Sequence, residues 1–303
     1  MNKQLKAIKT DKVLSILQNI AVVNNRAMYT NLETTIEWDI DLPDGLYNKK
    51  MFENNIFLRD MKEDVSEYPI KPTLSKPATI CFDRADIEHI GQAVKFVGKD
   101  DLRPVMTGVY VGINGVCGTD AHRLYYNEAT LFGNEMILSP ELCKLLQFYS
   151  DVNVSSDGEH VVINDIHSTV TITSRLIDGK YPNFNAVIPK ETPLNLTANK
   201  KDVLAALKTL SLFANKATNQ LVLSINNLTL TLECADLDRG ISKTIELPCK
   251  SNAGDYKFAL NYKFFELALK CIDSTEFTLD FSEPNRVVLL NKNYLLMPVI
   301  LNR

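Results

Sequence analysis

Asp83-Arg84-Ala85-Asp86-Ile87-Glu88-His89-Ile90-Gly91-Gln92-Ala93-Val94-Lys95-Phe96-Val97 is the stretch from which the fold can be read. Ile87, Ile90, Val94 and Val97 recur at helical spacing. Asp83 stands where an N-cap is needed, and Asp86, three residues on, can return a bond to the cap. The same device comes back 116 residues later, where Asn199 precedes Val203, Leu207 and Leu210 and Asp202 lies three after the cap. A second pair of starts follows. Ser139-Pro140-Glu141 joins a Ser cap to a first-turn proline and leads into Leu142, Leu145 and Leu146. Asn261, 122 residues further on, leads into Phe265, Leu269 and Ile272.

Strands fill the intervals. Val105–Ile113 is β-rich and meets Asn114-Gly115, a strong hairpin signal. Leu221–Leu230 turns at Asn226-Asn227, Val152–Thr173 at Asp157-Gly158, and Phe277–Leu290 near Pro284-Asn285. The order helix, strands, helix, strands thus occurs twice, over units of roughly 115 residues. Two unrelated α+β domains would be the alternative, but matching order and spacing favour a duplication. A third, shorter unit stands at the N-terminus. Val13–Ile36 reads as a hairpin about Asn24-Asn25, and Asn48 caps a brief run, Lys49–Asn55. Few residues then remain before Tyr68-Pro69, where the other units hold a set of strands. Tyr68–Pro77 and Ile188–Pro193, both proline-rich, read as linkers. The expectation is an α+β chain of repeated domains over 1–76, 77–191 and 192–303, the first of them truncated.

Composition narrows the function. Apolar residues make up 45% of the 303 and charged residues 23%, which fits a globular chain and excludes a disordered tail or a coiled-coil rod. No apolar run is long enough for a membrane span, and the polar, lysine-rich Met1–Lys12 is not expected to be a signal peptide. The six cysteines, Cys81, Cys117, Cys143, Cys234, Cys249 and Cys271, include no Cys-x-x-Cys pair, which argues against a zinc site or a disulfide framework and fits a reducing cytosol. No metal or cofactor is expected. With 33 Lys and Arg against 37 Asp and Glu, any nucleic-acid contact must concentrate its positive charge on one face. The polar helix faces supply such charge in Lys95, Lys99, Lys144, Lys200, Lys201, Lys208, Lys263 and Lys270, with Arg103 nearby. Lysines on one face could follow phosphates without reading bases. Ordinary solvated helix faces would carry the same residues. His122 beside Asp120 invites an acid–base or metal reading, but His89, His122, His160 and His167 have no ligand spacing among them, and there is no phosphate loop, nucleophile elbow or dinucleotide fingerprint. Trp38 and most Tyr and Phe residues are expected in the core, as are Cys143 and Cys271 on their helices.

Three segments add a resemblance. Thr119-Asp120-Ala121-His122-Arg123-Leu124, Arg175-Leu176-Ile177-Asp178-Gly179-Lys180-Tyr181-Pro182-Asn183-Phe184 and Tyr294-Leu295-Leu296-Met297-Pro298-Val299, in this order and spacing, resemble the bacterial DNA polymerase III beta subunit, the replicative sliding clamp. The resemblance covers Thr79–Leu301 well and Leu14–Ile56 faintly. It implies a ring of repeated clamp domains around duplex DNA, with helices inside and antiparallel sheets outside, built as a homo-oligomer, expected to be a dimer. It implies a non-catalytic processivity factor that holds a polymerase at high effective concentration by topology, in the cytoplasm on the nucleoid.

The resemblance also implies a pocket for short peptides of polymerase and clamp loader. Thr119, Ala121, His122, Arg123 and Leu124 would form one wall, with Pro182, Val187 and Met106. Leu295, Met297 and Pro298 would come from the tail, and Asn261, Phe264, Pro284 and Arg286 from a looser alignment. Three departures stand out. Ala121 replaces the family's usual Gly, Ala186 replaces an Arg often found there, and Ile300 replaces an Arg near the end, with Asn302-Arg303 beyond it. The resemblance further implies that the strands missing between Phe57 and Tyr68 are those that would meet a neighbouring chain. A non-encircling adaptor that keeps the peptide pocket without closing a ring is therefore the alternative, and a hydrolase using Asp120 and His122 a third.

Overall fold

All four long-range helix starts read from the sequence are helix starts in the computed structural model, which describes residues 1–10, 12–72, 74, 78–128, 133–226 and 228–301. The helices are α1 (Asn2–Ala7), α2 (Lys49–Phe52), α3 (Arg84–Ala93), α4 (Pro140–Leu146), α5 (Lys200–Leu210) and α6 (Tyr262–Lys270). Asp83 and Asp86 form a reciprocal capping box at α3. Ser139 accepts the Leu142 N–H at α4, Asn199 accepts the Lys201 and Asp202 N–H groups at α5, and Asn261 accepts the Lys263 N–H at α6. Each cap satisfies donors that the helix itself leaves open.

The chain forms two compact units. Residues 1–118 with 127–181 make the first. Its larger sheet is antiparallel and runs Arg59–Asp60, Gly45–Asn48, Asn19–Val23, Arg26–Thr30, Thr34–Asp39, Thr171–Arg175, His160–Asp165, Val152–Ser156, Ala78–Phe82. A smaller ribbon joins Met136–Leu138, Val109–Gly112 and Gly115–Thr119. Helices α3 and α4 pack together. They bury Ile87, Ile90 and Ala93 of one and Leu142, Cys143, Leu145 and Leu146 of the other. Gly118 is needed here, because a Cβ on it would lie 2.1 Å from the Ala93 carbonyl oxygen.

Residues 119–126 with 182–303 make the second unit. Its strands are ordered Arg123–Asn127, Tyr294–Leu296, Val288–Leu290, Glu276–Phe281, Leu194–Asn199, Ile241–Ser251, Thr229–Asp236, Gln220–Asn226, Tyr256–Asn261. Period-two alternation sends Leu221, Leu223 and Ile225 of one strand and Leu230, Leu232 and Cys234 of the next into the core. Helices α5 and α6 pack together, their apolar stripes (Val203, Ala206, Leu207, Leu210; Phe265, Ala268, Leu269) buried. Each such leucine contributes about 1.5–3 kcal/mol by leaving water.

Some local expectations are corrected. Val105 does not begin a strand: Pro104–Thr107 is a 3-10 turn, because Pro104 fixes a helical φ at its start. Ser15–Gln18 is likewise a 3-10 turn before the first strand. Helix α2 ends at Phe52, short of Asn55, which takes a left-handed φ of 60°. Helix α1 carries little sequence signal, since Leu5 is its one buried residue and no side chain caps it. Between Phe57 and Tyr68 there is a two-residue strand, Arg59–Asp60, and a 3-10 turn, Val65–Glu67. Thr73, Ser75, Lys76 and Pro77 of the first expected linker, Asn227 of the expected turn, and Asn302-Arg303 lie outside the described residues. No helix among the described residues is long and apolar enough to cross a membrane.

Candidate partner-binding and DNA-facing sites

The turn Thr119–Arg123 is built by its own side chains. Asp120 Oδ1 accepts the N–H groups of His122 and Arg123, each at 3.0 Å, and Oδ2 accepts Arg123 Nε at 2.9 Å. Thr119 Oγ1 donates to the Arg123 carbonyl at 2.9 Å and accepts the Ala121 N–H at 3.1 Å. Asp120 is thus a structural Asx-turn residue. With both oxygens committed, it is poorly placed as a base for His122. No group of three or more His, Cys, Asp or Glu capable of holding a metal occurs among the described residues.

Ala121 sits at φ +73°. That is a left-handed conformation, which costs a residue with a Cβ about 1–2 kcal/mol.

Register then assembles the site. Leu296, Leu295 and Tyr294 lie opposite Arg123, Leu124 and Tyr125. The Met297 N–H donates to the His122 carbonyl at 2.9 Å, which fixes the tail against the turn. The Arg123 guanidinium lies 4.6 Å from the centre of the Phe264 ring, and the His122 ring stacks near it, centroids 6.5 Å apart. Helix α6 presents Phe264 because Asn261 caps its start. The Asn261 side-chain amide oxygen accepts the Lys263 N–H at 3.0 Å. Beneath lie Tyr125 and Tyr294, rings 5.0 Å apart, with the Tyr294 hydroxyl on the Cys271 carbonyl at 3.0 Å. Burial pushes both phenols well above the usual tyrosine range, so they stay neutral.

The expected residues divide by burial. His122, Arg123, Phe264, Met297 and Pro298 are brought together at an accessible face, and Met297 is 40% exposed. Leu124 and Leu295 are corrected as wall residues: at 3% and 2% exposure they are core packing behind the site. Pro182 and Val187 are exposed within the same unit. Pro284 and Arg286 lie on an exposed turn, where Arg286 pairs with Glu283 at 3.7 Å; no hydrogen bond, ion pair or ring contact among the described residues ties them to Phe264. Met106, in the first unit, is 8% exposed, and its carbonyl accepts the Gly98 N–H at 2.8 Å.

The basic residues also divide. Lys201 and Lys208, seven apart on α5, and Lys263 and Lys270, seven apart on α6, are exposed on faces opposite the apolar stripes. Lys270 pairs with Glu266 at 2.7 Å. Lys95, Lys99 and Lys144 are exposed in the first unit; Arg103, also exposed, is held by Asp100 at 3.0 Å. Lys200 is corrected. It is half-buried, and its ammonium donates to the Ile272 carbonyl at 2.5 Å, which caps the C-terminal end of α6 rather than facing solvent.

A model of the DNA polymerase III beta subunit, C-terminal domain, matches residues 185–297. The beta sliding clamp of Synechococcus elongatus is 25% identical over 259 residues, 77% of this chain and 68% of that protein. That of Staphylococcus epidermidis is 27% identical over 232 residues, 72% of this chain and 61% of that protein.

Residues 185–297 belong to the C-terminal domain family of the DNA polymerase III beta subunit.

Solved members share the fold. The DnaN sliding clamp of Pseudomonas aeruginosa bound to griselimycin superposes with a TM-score of 0.85 at 17% identity, over 99% of this chain and 97% of that one. The beta subunit of Thermotoga maritima gives 0.85 at 19% identity. Likeness over so much of both chains gives no evidence of the truncated first domain expected from the sequence. The relatives named above are beta sliding clamps.

Proposed function

We propose that the protein is a DNA sliding clamp of replication, a processivity factor that encircles duplex DNA as a homo-oligomeric ring, a dimer, and tethers polymerase and clamp loader through short peptides. It acts in the cytoplasm on the nucleoid, and its clamp modules span 1–76, 77–191 and 192–303. The observation that carries this reading is the pair α5 and α6, packed side by side with Lys201, Lys208, Lys263 and Lys270 on their free faces. Lysines on flexible stems, held by no base-reading geometry, suit contact with phosphates at any register, as sliding requires. The peptide site is the cluster of His122, Arg123, Phe264, Met297 and Pro298. Its apolar and cationic faces fit an extended segment that carries a large apolar side chain and an acidic group.

Particle images of the purified chain on duplex DNA test the ring. Closed rings with duplex density through the hole are expected. Compact single chains bound beside the duplex would overturn the ring and leave the non-encircling adaptor.

A further inference from the structure

The turn that frames the peptide site in the second unit recurs in the first. In Thr30-Asn31-Leu32-Glu33-Thr34, the Leu32 N–H donates to Thr30 Oγ1 at 3.0 Å, as the Ala121 N–H does to Thr119 Oγ1 at 3.1 Å. The N–H groups of Glu33 and Thr34 donate to Asn31 Oδ1 at 3.2 and 2.8 Å, as those of His122 and Arg123 do to Asp120 Oδ1. Leu32 takes φ +74°, against +73° for Ala121. The chain crossing behind the turn also matches. Ser174 lies opposite Thr34 and the Arg175 N–H donates to the Glu33 carbonyl at 2.9 Å, while Leu296 lies opposite Arg123 and the Met297 N–H donates to the His122 carbonyl at 2.9 Å. Arg175 therefore occupies the place of Met297.

Ser156–His160 carries the same turn bonds around Gly158, so the turn alone marks no site. Two features single out Thr30–Thr34. Its Asn31 Nδ2 donates to Glu141 Oε1 at 2.9 Å, tying it to the first turn of α4, the counterpart of the α6 start. Beside it opens a cleft of about 370 Å³, with Pro140, Leu176 and Ile177 as its apolar part.

The charge on this cleft is specific. Lys9, Lys144 and Arg175 line it, all exposed, and none has a carboxylate in ion-pair range among the described residues. Of the two lining carboxylates, Glu141 is committed, accepting the Lys9 N–H and the Asn31 amide at 2.9 Å each. Its donors are neutral amides, so three cations stand against two carboxylates, Glu33 and Glu141, and the cleft carries a net positive charge.

We propose that this cleft is a second peptide-binding site, which takes a short extended segment of a partner protein with an acidic residue beside an apolar one. The proposal rests on the peptide reading of the Phe264 site, of which it is the internal repeat. The cations take the acidic group and Ile177 with Pro140 takes the apolar side chain. Leu32, bulky, 56% exposed and held left-handed, is a strained residue at the rim that the turn bonds keep in place.

Fluorescein-labelled hexapeptides with Asp or Glu beside Leu or Phe, and a set with Lys in place of the acid, are titrated into the full chain. The variants are K144E/R175E, both at exposed positions, and M297A/F264A. The acidic set is expected to bind in two components. K144E/R175E should weaken one at least tenfold, M297A/F264A the other, and the Lys set should show neither component sensitive to Arg175. A component lost only in K144E/R175E sustains the proposal even if the Phe264 site binds nothing. Binding wholly lost in M297A/F264A, no binding to the wild type, or peptide binding unchanged in K144E/R175E would overturn it. In that last case, a drop in affinity for a labelled 20-bp duplex would assign the cations to DNA.

Discussion

Leu295→Ala and Met297→Ala are two residues apart in one segment and should behave in opposite ways. Leu295 is 2% exposed, opposite Leu124 at 3%, and also paired with Leu289 at 7%. Strands on both sides hold their spacing through backbone bonds, so the gap left by alanine cannot close by collapse. Lost transfer energy plus an unfilled cavity costs about 3 kcal/mol, within the usual range for buried leucine. Met297 is 40% exposed, and its truncation forfeits only part of a side chain's burial, about 1 kcal/mol or less. The probe must lie in the same unit. Trp38, the single tryptophan, is in the first, so hydrogen exchange of residues 288–296 in rising urea is the suitable readout. Leu295→Ala should lower the opening free energy of this segment by about 3 kcal/mol. Met297→Ala should leave it nearly unchanged while weakening peptide binding. Equal effects of the two, or a Leu295→Ala variant as stable as the wild type, would refute the burial assigned here.

Ala121→Gly relieves a left-handed Cβ at φ +73° and should stabilise the second unit by about 0.5–1 kcal/mol net of glycine's added unfolded-state entropy, read by the same exchange measurement. Burial holds the Lys49 ammonium below its usual 10.5, although Glu53 partly counteracts this. The unfolded chain then binds more protons in the window just below 10.5, so stability should rise with pH through that window, and Lys49→Met should remove this part of the slope in parallel urea titrations. Of six free thiols, only Cys81 is exposed, and burial pushes Cys117 and Cys143 well up. A thiol reagent at neutral pH should therefore label Cys81 rapidly and the others only on unfolding; rapid labelling of a second thiol would contradict the packing. Charge reversal of Lys201, Lys208 and Lys263 should weaken duplex binding and flatten its dependence on salt, whereas an unchanged salt slope would place DNA elsewhere.

Helix starts were legible because a cap is a local event. Asp83, Ser139, Asn199 and Asn261 each bond to an amide two or three residues away. What depended on distant neighbours was not. Leu295 lies in an apolar run whose facing cannot be told until its register with Leu124 is known. Lys200 looked like one more solvated lysine, yet its ammonium reaches the end of α6, 72 residues away. The Thr30–Thr34 turn is masked in the sequence because Leu32 stands where a left-handed residue would ordinarily be Gly or Asn. The pattern shared by Thr30-Asn31, Thr119-Asp120 and Ser156-Asp157, a hydroxyl followed by an Asx at a strand end, was the signal that could have found it.

Encirclement is topological and can be tested without a loader. The chain is assembled on a linear duplex, the ends are ligated into a circle, and free protein is removed in salt high enough to screen the lysines. The protein should stay on the circle for as long as it is closed and leave when a single cut reopens it. Loss from the closed circle as fast as from the cut one would contradict encirclement.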